Sequence, residues 1–265
     1  MNRKIAVMSL SGGMDSTGLL THLLARDYDV YALSYYYGQK HSIELDRAKT
    51  NIDQMKAAGL SIVEHKFVDL SSAMAIFHSA LTDSEMEVPE GHYEQENMVA
   101  TVVPNRNAIF SSIVYGYALS LATKHDQEVK ICLGVHSGDH AIYPDCRPEF
   151  YDAIGSAFAL GNWGSEKVSF YLPYIDGDKT TILQDSIENC EKLDLDFDRV
   201  FRNTNTSYNP DEEGRSSGKS GADVERILAF IDIGREDPVE YVDGWEIARA
   251  NALKVKSEWE STLTE

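Results

Sequence analysis

The chain has 265 residues, with 24 Lys+Arg against 43 Asp+Glu and a formal net charge of −19. That excess of carboxylates argues against electrostatic capture of DNA, RNA or an anionic membrane, which draws affinity from Lys and Arg releasing counterions, although a local basic cleft for one anionic ligand stays compatible with it. Hydrophobic residues at 43% and charged residues at 25% are ordinary globular values, and a chain of this length buries about 70–75% of its unfolded surface, so its core needs no disulfide or metal staple.

Met1-Asn2-Arg3-Lys4 leads directly into a short apolar run and lacks the pattern of a signal peptide, and no stretch approaches a membrane span. A cytoplasmic location is expected. Cys132, Cys146 and Cys190 are scattered without a CxxC pair, which indicates neither a disulfide framework nor a cysteine zinc site.

Residues 5–10 read as a buried strand, and 17–26 as a helix with Leu19, Leu20, Leu23 and Leu24 at helical spacing. A strand over 30–36, a helix over 42–58 ending before Gly59, and a strand over 62–68 follow. Residues 71–81 read as helical and 82–96 as an acidic loop. Then come a long helix at 108–124, a strand at 129–135, a helix at 148–160, a strand at 168–174 and a helix at 180–193. Five such alternations predict an α/β fold, a five-stranded parallel sheet flanked by helices on both faces, with ligands beyond the carboxyl ends of the strands. From about residue 203 the chain turns Ser-, Gly-, Asn- and Asp-rich, and helical patterns return at 225–234 and 244–262. The expected organisation is an ATP-binding α/β domain over 1–202 and a loop plus helical C-terminal appendage over 203–265.

The strongest motif is Ser11-Gly12-Gly13-Met14-Asp15-Ser16-Thr17, between the first strand and the first helix. Adjacent glycines let backbone N–H groups approach an anion, the hydroxyls add donors, and the helix N-terminus adds positive dipole. That combination predicts a pyrophosphate cradle. Gly214-Arg215-Ser216-Ser217-Gly218-Lys219-Ser220 comes near a kinase-type phosphate loop, but its spacing is one residue short and no strand precedes it, so it reads as loop.

The SGGMDS loop resembles that of the PP-loop ATP pyrophosphatases, Rossmann-like enzymes that cleave ATP between the α and β phosphates. Val103-Pro104-Asn105-Arg106-Asn107-Ala108, Gly134-Val135-His136, Tyr143-Pro144-Asp145-Cys146-Arg147-Pro148-Glu149-Phe150 and Asp178-Lys179-Thr180 narrow the resemblance. Together with Glu225-Arg226, Ala229-Phe230, Asp237-Pro238 and Tyr241, these stretches look like the QueC family, the 7-cyano-7-deazaguanine synthases. The resemblance implies that 7-carboxy-7-deazaguanine is adenylated by ATP, combined with ammonia to an amide, and activated again so that the amide oxygen leaves as AMP and a nitrile remains. It further implies a cytoplasmic homodimer acting on a small molecule, with no nucleic acid or membrane partner.

ATP contacts are expected from Leu10, Ser11, Gly12, Gly13, Met14, Asp15, Ser16, Thr17, Gly18, Leu19 and Leu20. Each activation needs positive charge near the α-phosphate, for which Lys179 and Arg147 are candidates and Arg106 a weaker one. Asp145 and Asn107 suit the amide and amino edges of a purine-like base, with Tyr143, Arg106 and Arg147 completing the substrate set. His136, at a strand's carboxyl end, is a candidate base, and Asp15 or Asp139 a candidate magnesium ligand. Cys146 reads as a small buried residue, and the Tyr35-Tyr36-Tyr37 run as strand packing with a polar end.

One departure from the family stands out. Where it carries four zinc cysteines, this chain has Ser207, Ser217, Ser220 and Asp223; neutral hydroxyls and one carboxylate do not replace a thiolate cage, so no structural zinc is expected. Either zinc was only a staple and the nitrile is still made, or the adenylated base passes to another amine, such as a protein N-terminus, and the product stops at an amide. A third reading is a catalytically silent nucleotide-binding or interaction protein, against which the intact loop, Lys179 and Arg147 weigh.

Overall fold

The computed structural model describes residues 3–40, 43–83, 85–92 and 94–262. Met1, Asn2, Ser42, Ser84 and Tyr93, on which parts of the sequence expectations fall, lie outside them.

Strands β1 (Lys4–Ser9), β2 (Tyr28–Tyr36), β3 (Ile62–Asp69), β4 (Val129–Cys132) and β5 (Val168–Tyr171) form one parallel sheet in the order β3-β2-β1-β4-β5. Side chains alternate across it, as the period of two requires. Ala6, Met8, Val30, Ala32 and Cys132 enter one core, while Ile5, Val7, Tyr31, Leu33 and Ile131 enter the other. Burial on both faces explains why the strands are continuous apolar runs.

The helices are α1 (Met14–Leu24), α2 (Ile43–Ala57), α3 (Ser71–Met74), α4 (Arg106–His125), α5 (Pro148–Gly161), α6 (Lys179–Lys192), α7 (Phe197–Arg202), α8 (Gly221–Asp232) and α9 (Trp245–Thr262). Leu19, Leu20 and Leu23 of α1, Ile52 of α2, Ile182 of α6, Phe201 of α7 and Phe230 of α8 fill the first core. Val114, Ala118 and Leu121 of α4 and Tyr151 of α5 fill the second. A third, small cluster of Val224, Ile227, Tyr241, Ala248 and Ala252 packs α9 on α8.

Several elements differ from their sequence patterns. Helix α1 begins at Met14, before the apolar periodicity starts, so Asp15 and Ser16 already belong to its first turn. The expected helix over 71–81 is a single turn. Strand β4 ends at Cys132 because Leu133, Gly134 and Val135 leave the sheet to line a cavity. Helix α7 was masked in the sequence by its brevity, although Asp196 caps it and Phe197, Val200 and Phe201 share its buried face. Ser220 opens α8 through a capping box with Asp223, which turns the end of the expected loop into helix.

The order reverses between β1 and β4, and such a reversal leaves a crevice beyond their carboxyl ends. Gly12 makes the loop after β1 possible. Its φ is +90°, and a Cβ there would stand 1.9 Å from the Glu44 carbonyl oxygen of α2; only glycine supplies both the conformation and the clearance.

The loop before α8 is tied to the rest by a buried ion pair. Arg226, 1% exposed, donates Nε to Asp237 Oδ2 at 2.6 Å and Nη2 to Oδ1 at 2.9 Å. Its Nη1 donates to Thr204 Oγ1 at 2.8 Å and Thr206 Oγ1 at 3.0 Å, and Tyr241 Oη donates to Asp237 at 2.7 Å. Removing one partner leaves a buried charge uncompensated, so Asp237→Ala should lower stability by about 3–5 kcal/mol in urea denaturation.

Candidate active site

The crevice holds a cavity of about 230 Å³ with two chemically distinct ends. One end is polar: Ser11, Gly13, Asp15 and Ser16 from the loop after β1, Asp139, Lys179 at the start of α6, Asn205, Thr206 and Glu225 of α8. The other is aromatic: Tyr35, Tyr37, Phe110, Tyr143, Tyr151 and Tyr208, with Glu44, Arg106, Asn107 and Cys146.

The polar end is organised by one ammonium. Asp178 caps α6, accepting the Thr181 N–H at 2.7 Å, and so fixes the helix start from which Lys179 projects. Lys179, 5% exposed, lies 2.8 Å from Asp15 Oδ2 and 3.3 Å from Glu225 Oε2, and contacts His136 Nε2 at 2.9 Å. Burial alone would lower its pKa, but Asp15, Glu225 and Asp139 push it well above the ordinary lysine range. Burial alone would raise the Asp15 carboxyl; Lys179 and His136 outweigh it and hold the group below the usual value. For Glu225 burial prevails over the attraction of Lys179, and the carboxyl is raised.

His136 is fully buried and sits behind Lys179. Its Nδ1 accepts the Gly138 N–H at 3.1 Å, while Nε2 faces Lys179. A neutral imidazole has one acceptor nitrogen, so these two contacts compete for its tautomer.

Only part of the expected nucleotide loop lines the cavity. Ser11, Gly13, Asp15 and Ser16 do, with Ser11 Oγ and Ser16 Oγ 3.0 Å apart. Leu10, Met14, Leu19 and Leu20 lie in the first core, Gly18 packs against Ile182, Thr17 is buried, and Gly12 passes under Glu44. Loop residues missed by the motif close this end: the Asn205 N–H donates to Gly12 O at 3.0 Å and the Met14 N–H to Thr206 Oγ1 at 3.3 Å.

The structure splits the motif over 143–150. Tyr143 and Cys146 face the cavity. Asp145 does not line it; its Oδ2 accepts the Asn107 N–H at 3.3 Å, helping to satisfy the start of α4. Arg147 is exposed and donates Nε to His140 O at 2.8 Å, bracing its own loop outside the cavity wall. The expected roles of these two residues at the reacting groups are therefore not supported by their placement.

Arg106 is the cation of the aromatic end. Its guanidinium lies 5.9 Å from the Tyr143 ring, and its Nε donates to Asn107 Oδ1 at 3.4 Å. Tyr35 stacks on Phe110 at 4.1 Å. Tyr35 and Tyr37 thus line the site as well as packing the sheet. Burial pushes the Cys146 thiol far above its ordinary range, with Asp139 and Asp145 adding to the effect.

Glu44, on the first turn of α2, was not legible as a site residue. Its Oε1 accepts from Gln39 Nε2 at 3.1 Å. Burial raises its carboxyl to about 7, with Gln39 and Arg106 opposing.

Outside the cavity, Ser207, Ser217 and Ser220 form a knot with Asp223. Their hydroxyls donate to Asp223 Oδ2 at 3.0, 2.7 and 2.9 Å, and the Ser220 N–H reaches the same oxygen at 3.3 Å.

Comparison with known proteins identifies relatives of the chain. Residues 5–234 match the family described as "Queuosine biosynthesis protein QueC". The chain is 42% identical over 236 residues to a 7-cyano-7-deazaguanine synthase of Marinomonas sp. (strain MWYL1), covering 89% of this chain and 97% of that protein. It is 39% identical over 244 residues to the enzyme of the same name from Psychromonas ingrahamii, covering 92% and 100%. Among solved structures, NMN synthetase from Francisella tularensis aligns with a TM-score of 0.41 at 13% identity, over 96% of this chain and 87% of that one.

Lys179→Met should leave Asp15, Glu225 and Asp139 facing one another without their cation. The expected loss is about 3–5 kcal/mol at neutral pH. Urea denaturation should show the deficit shrinking toward acid pH, where protonation relieves the carboxylates.

Proposed function

The chain belongs to the QueC family, and from that premise we propose that it converts 7-carboxy-7-deazaguanine and ammonia to 7-cyano-7-deazaguanine at the expense of ATP. The observation that carries this reading is a single cavity with an anion-binding loop and Lys179 at one end and an aromatic, Arg106-bearing enclosure at the other. Both substrates fit that division: the phosphates belong with Ser11, Gly13, Ser16 and Lys179, and planar rings with the tyrosines and Phe110.

A carboxylate becomes an electrophile only when its oxygen is turned into a leaving group. In the first step a substrate carboxylate oxygen attacks the α-phosphorus, and the bond to pyrophosphate breaks. In this reading Lys179, with the loop hydroxyls of Ser11 and Ser16 that line the same end, meets the charge that develops there. Ammonia then attacks the acyl carbon as AMP leaves, giving the amide. Adenylation of the amide oxygen by a second ATP, followed by loss of AMP and of the two N–H protons, leaves the nitrile. Glu225, raised by burial and beside Lys179, is the group at the polar end suited to take up a proton.

Magnesium fits the same end. Among the described residues Asp15 Oδ1 is buried without a hydrogen-bond partner, and Asp139 lines the same wall; these hard oxygen donors would hold the ion, which would neutralise phosphate charge. Zinc does not fit the knot around Asp223. A carboxylate oxygen takes the middle of that cluster and all three serine hydroxyls donate to it, so the proposed staple is this hydrogen-bonded knot. The reading includes a homodimer in the cytoplasm; no helix among the described residues is long and apolar enough to cross a membrane.

Purified protein given ATP, 7-carboxy-7-deazaguanine and ammonium should release AMP and pyrophosphate, with the nitrile identified by mass. Formation of ADP would overturn the reading, and an amide as final product would limit it to the first half. Metal analysis should find zinc far below one equivalent, a chelator should leave the thermal midpoint unchanged, and Asp223→Ala should cost about 1–3 kcal/mol in chemical denaturation through its stranded hydroxyls.

A further inference from the structure

Among the described residues four carboxylates line the cavity: Asp15, Glu44, Asp139 and Glu225. Three of them belong to Lys179, two by direct ion pairs and Asp139 by its effect on the ammonium. Glu44 stands apart, on α2 at the aromatic end with Tyr37 and Arg106. It is therefore the carboxylate available to a base, whereas the earlier candidate for that task, Asp145, does not line the cavity and accepts the Asn107 N–H at the start of α4.

The Glu44 side chain is held in place. Gln39 Oε1 accepts the Tyr37 N–H at 2.8 Å, which fixes the orientation of its amide. Gln39 Nε2 must then face the Tyr35 carbonyl, 3.1 Å away, and Glu44 Oε1, also 3.1 Å away. Backbone at the end of β2 thus sets the glutamine, and the glutamine sets the glutamate. Among the described residues Oε2 has no hydrogen bond or ion pair, and Oε1 keeps a second lone pair.

The proposed reaction brings two bases into one cavity, and they differ at the edge a carboxylate can read. Deazaguanine offers two adjacent donors, N1–H and the 2-amino group. Adenine places the N1 lone pair beside its amino group, which would face a carboxylate oxygen across a repulsive contact. We propose that Glu44 recognises the N1–H and 2-amino donors of the deazaguanine substrate and so decides which base occupies the aromatic end. This rests on the function proposed above. Paired donors also suit a carboxyl that burial otherwise keeps from ionising fully.

Glu44→Gln replaces one acceptor oxygen by an N–H donor. Its apparent KM for 7-carboxy-7-deazaguanine should rise about 10–100-fold, while that for ATP moves less than about 3-fold. A substrate analogue lacking the 2-amino group supplies the second arm: the unaltered protein should discriminate against it by about 10-fold or more in kcat/KM, and Glu44→Gln should lose most of that discrimination. Glu44→Asp keeps the charge but withdraws it by one carbon, and should show the same KM split. A rise in the KM for ATP alone, or equal discrimination before and after substitution, would overturn the assignment. Absence of AMP formation by the unaltered protein would instead defeat the function on which it rests, a result read before any variant is made.

Discussion

The site is organised around the charge of Lys179. An ammonium that is 5% exposed cannot remain ionised without compensation. This one finds it in three separate stretches of chain: Asp15 after β1, Asp139 in the loop after β4 and Glu225 on α8. No pair of those stretches is close in sequence. The position of one nitrogen therefore fixes how the loop, the crevice and α8 sit relative to each other. The cavity shares the acidic character of a chain of net charge −19, since Asp15, Glu44, Asp139 and Glu225 line it against Lys179 and Arg106.

The Arg226–Asp237 pair does similar work one layer out. Adjacent residues of α8 point in different directions: Glu225 toward the cavity, Arg226 toward Thr204, Thr206 and Asp237. Thr206 in turn accepts from Met14, and Asn205 donates to Gly12. A fully buried bidentate pair thus transmits the placement of α8 to the glycine loop after β1. Its hydrogen bonds are saturated on both partners, the condition under which a buried pair holds geometry well.

The five strands, most helices and the glycine loop were legible because they follow from local period and from backbone freedom at Gly12. The site was legible only in part. Helical and turn geometry aims neighbouring side chains in different directions, so the motif over 143–150 divides into Tyr143 and Cys146 facing in, Asp145 accepting the Asn107 N–H in the first turn of α4 and Arg147 bracing a surface loop. Sequence proximity marked the motif but could not assign those directions. Glu44 carries the opposite lesson. Nothing near it in sequence signals chemistry, and its place in the cavity comes from α2 packing beneath the glycine loop and from the Gln39 clamp. The knot at Asp223 was recognisable as a set of non-thiolate positions, while its inward geometry, three hydroxyls on one oxygen, depends on the capping box that starts α8.

The Arg226–Asp237 pair also orders events during synthesis. The phosphate loop ends at Thr17, yet its outer wall is secured by a carboxylate more than two hundred residues later. A chain still on the ribosome can complete its sheet and its second core before Asp237 has been made. Until that residue emerges, Arg226 lacks its counter-ion and the segment over 204–206 lacks its anchor. The wall beside the glycine loop is therefore fixed only once the chain beyond α8 has been made.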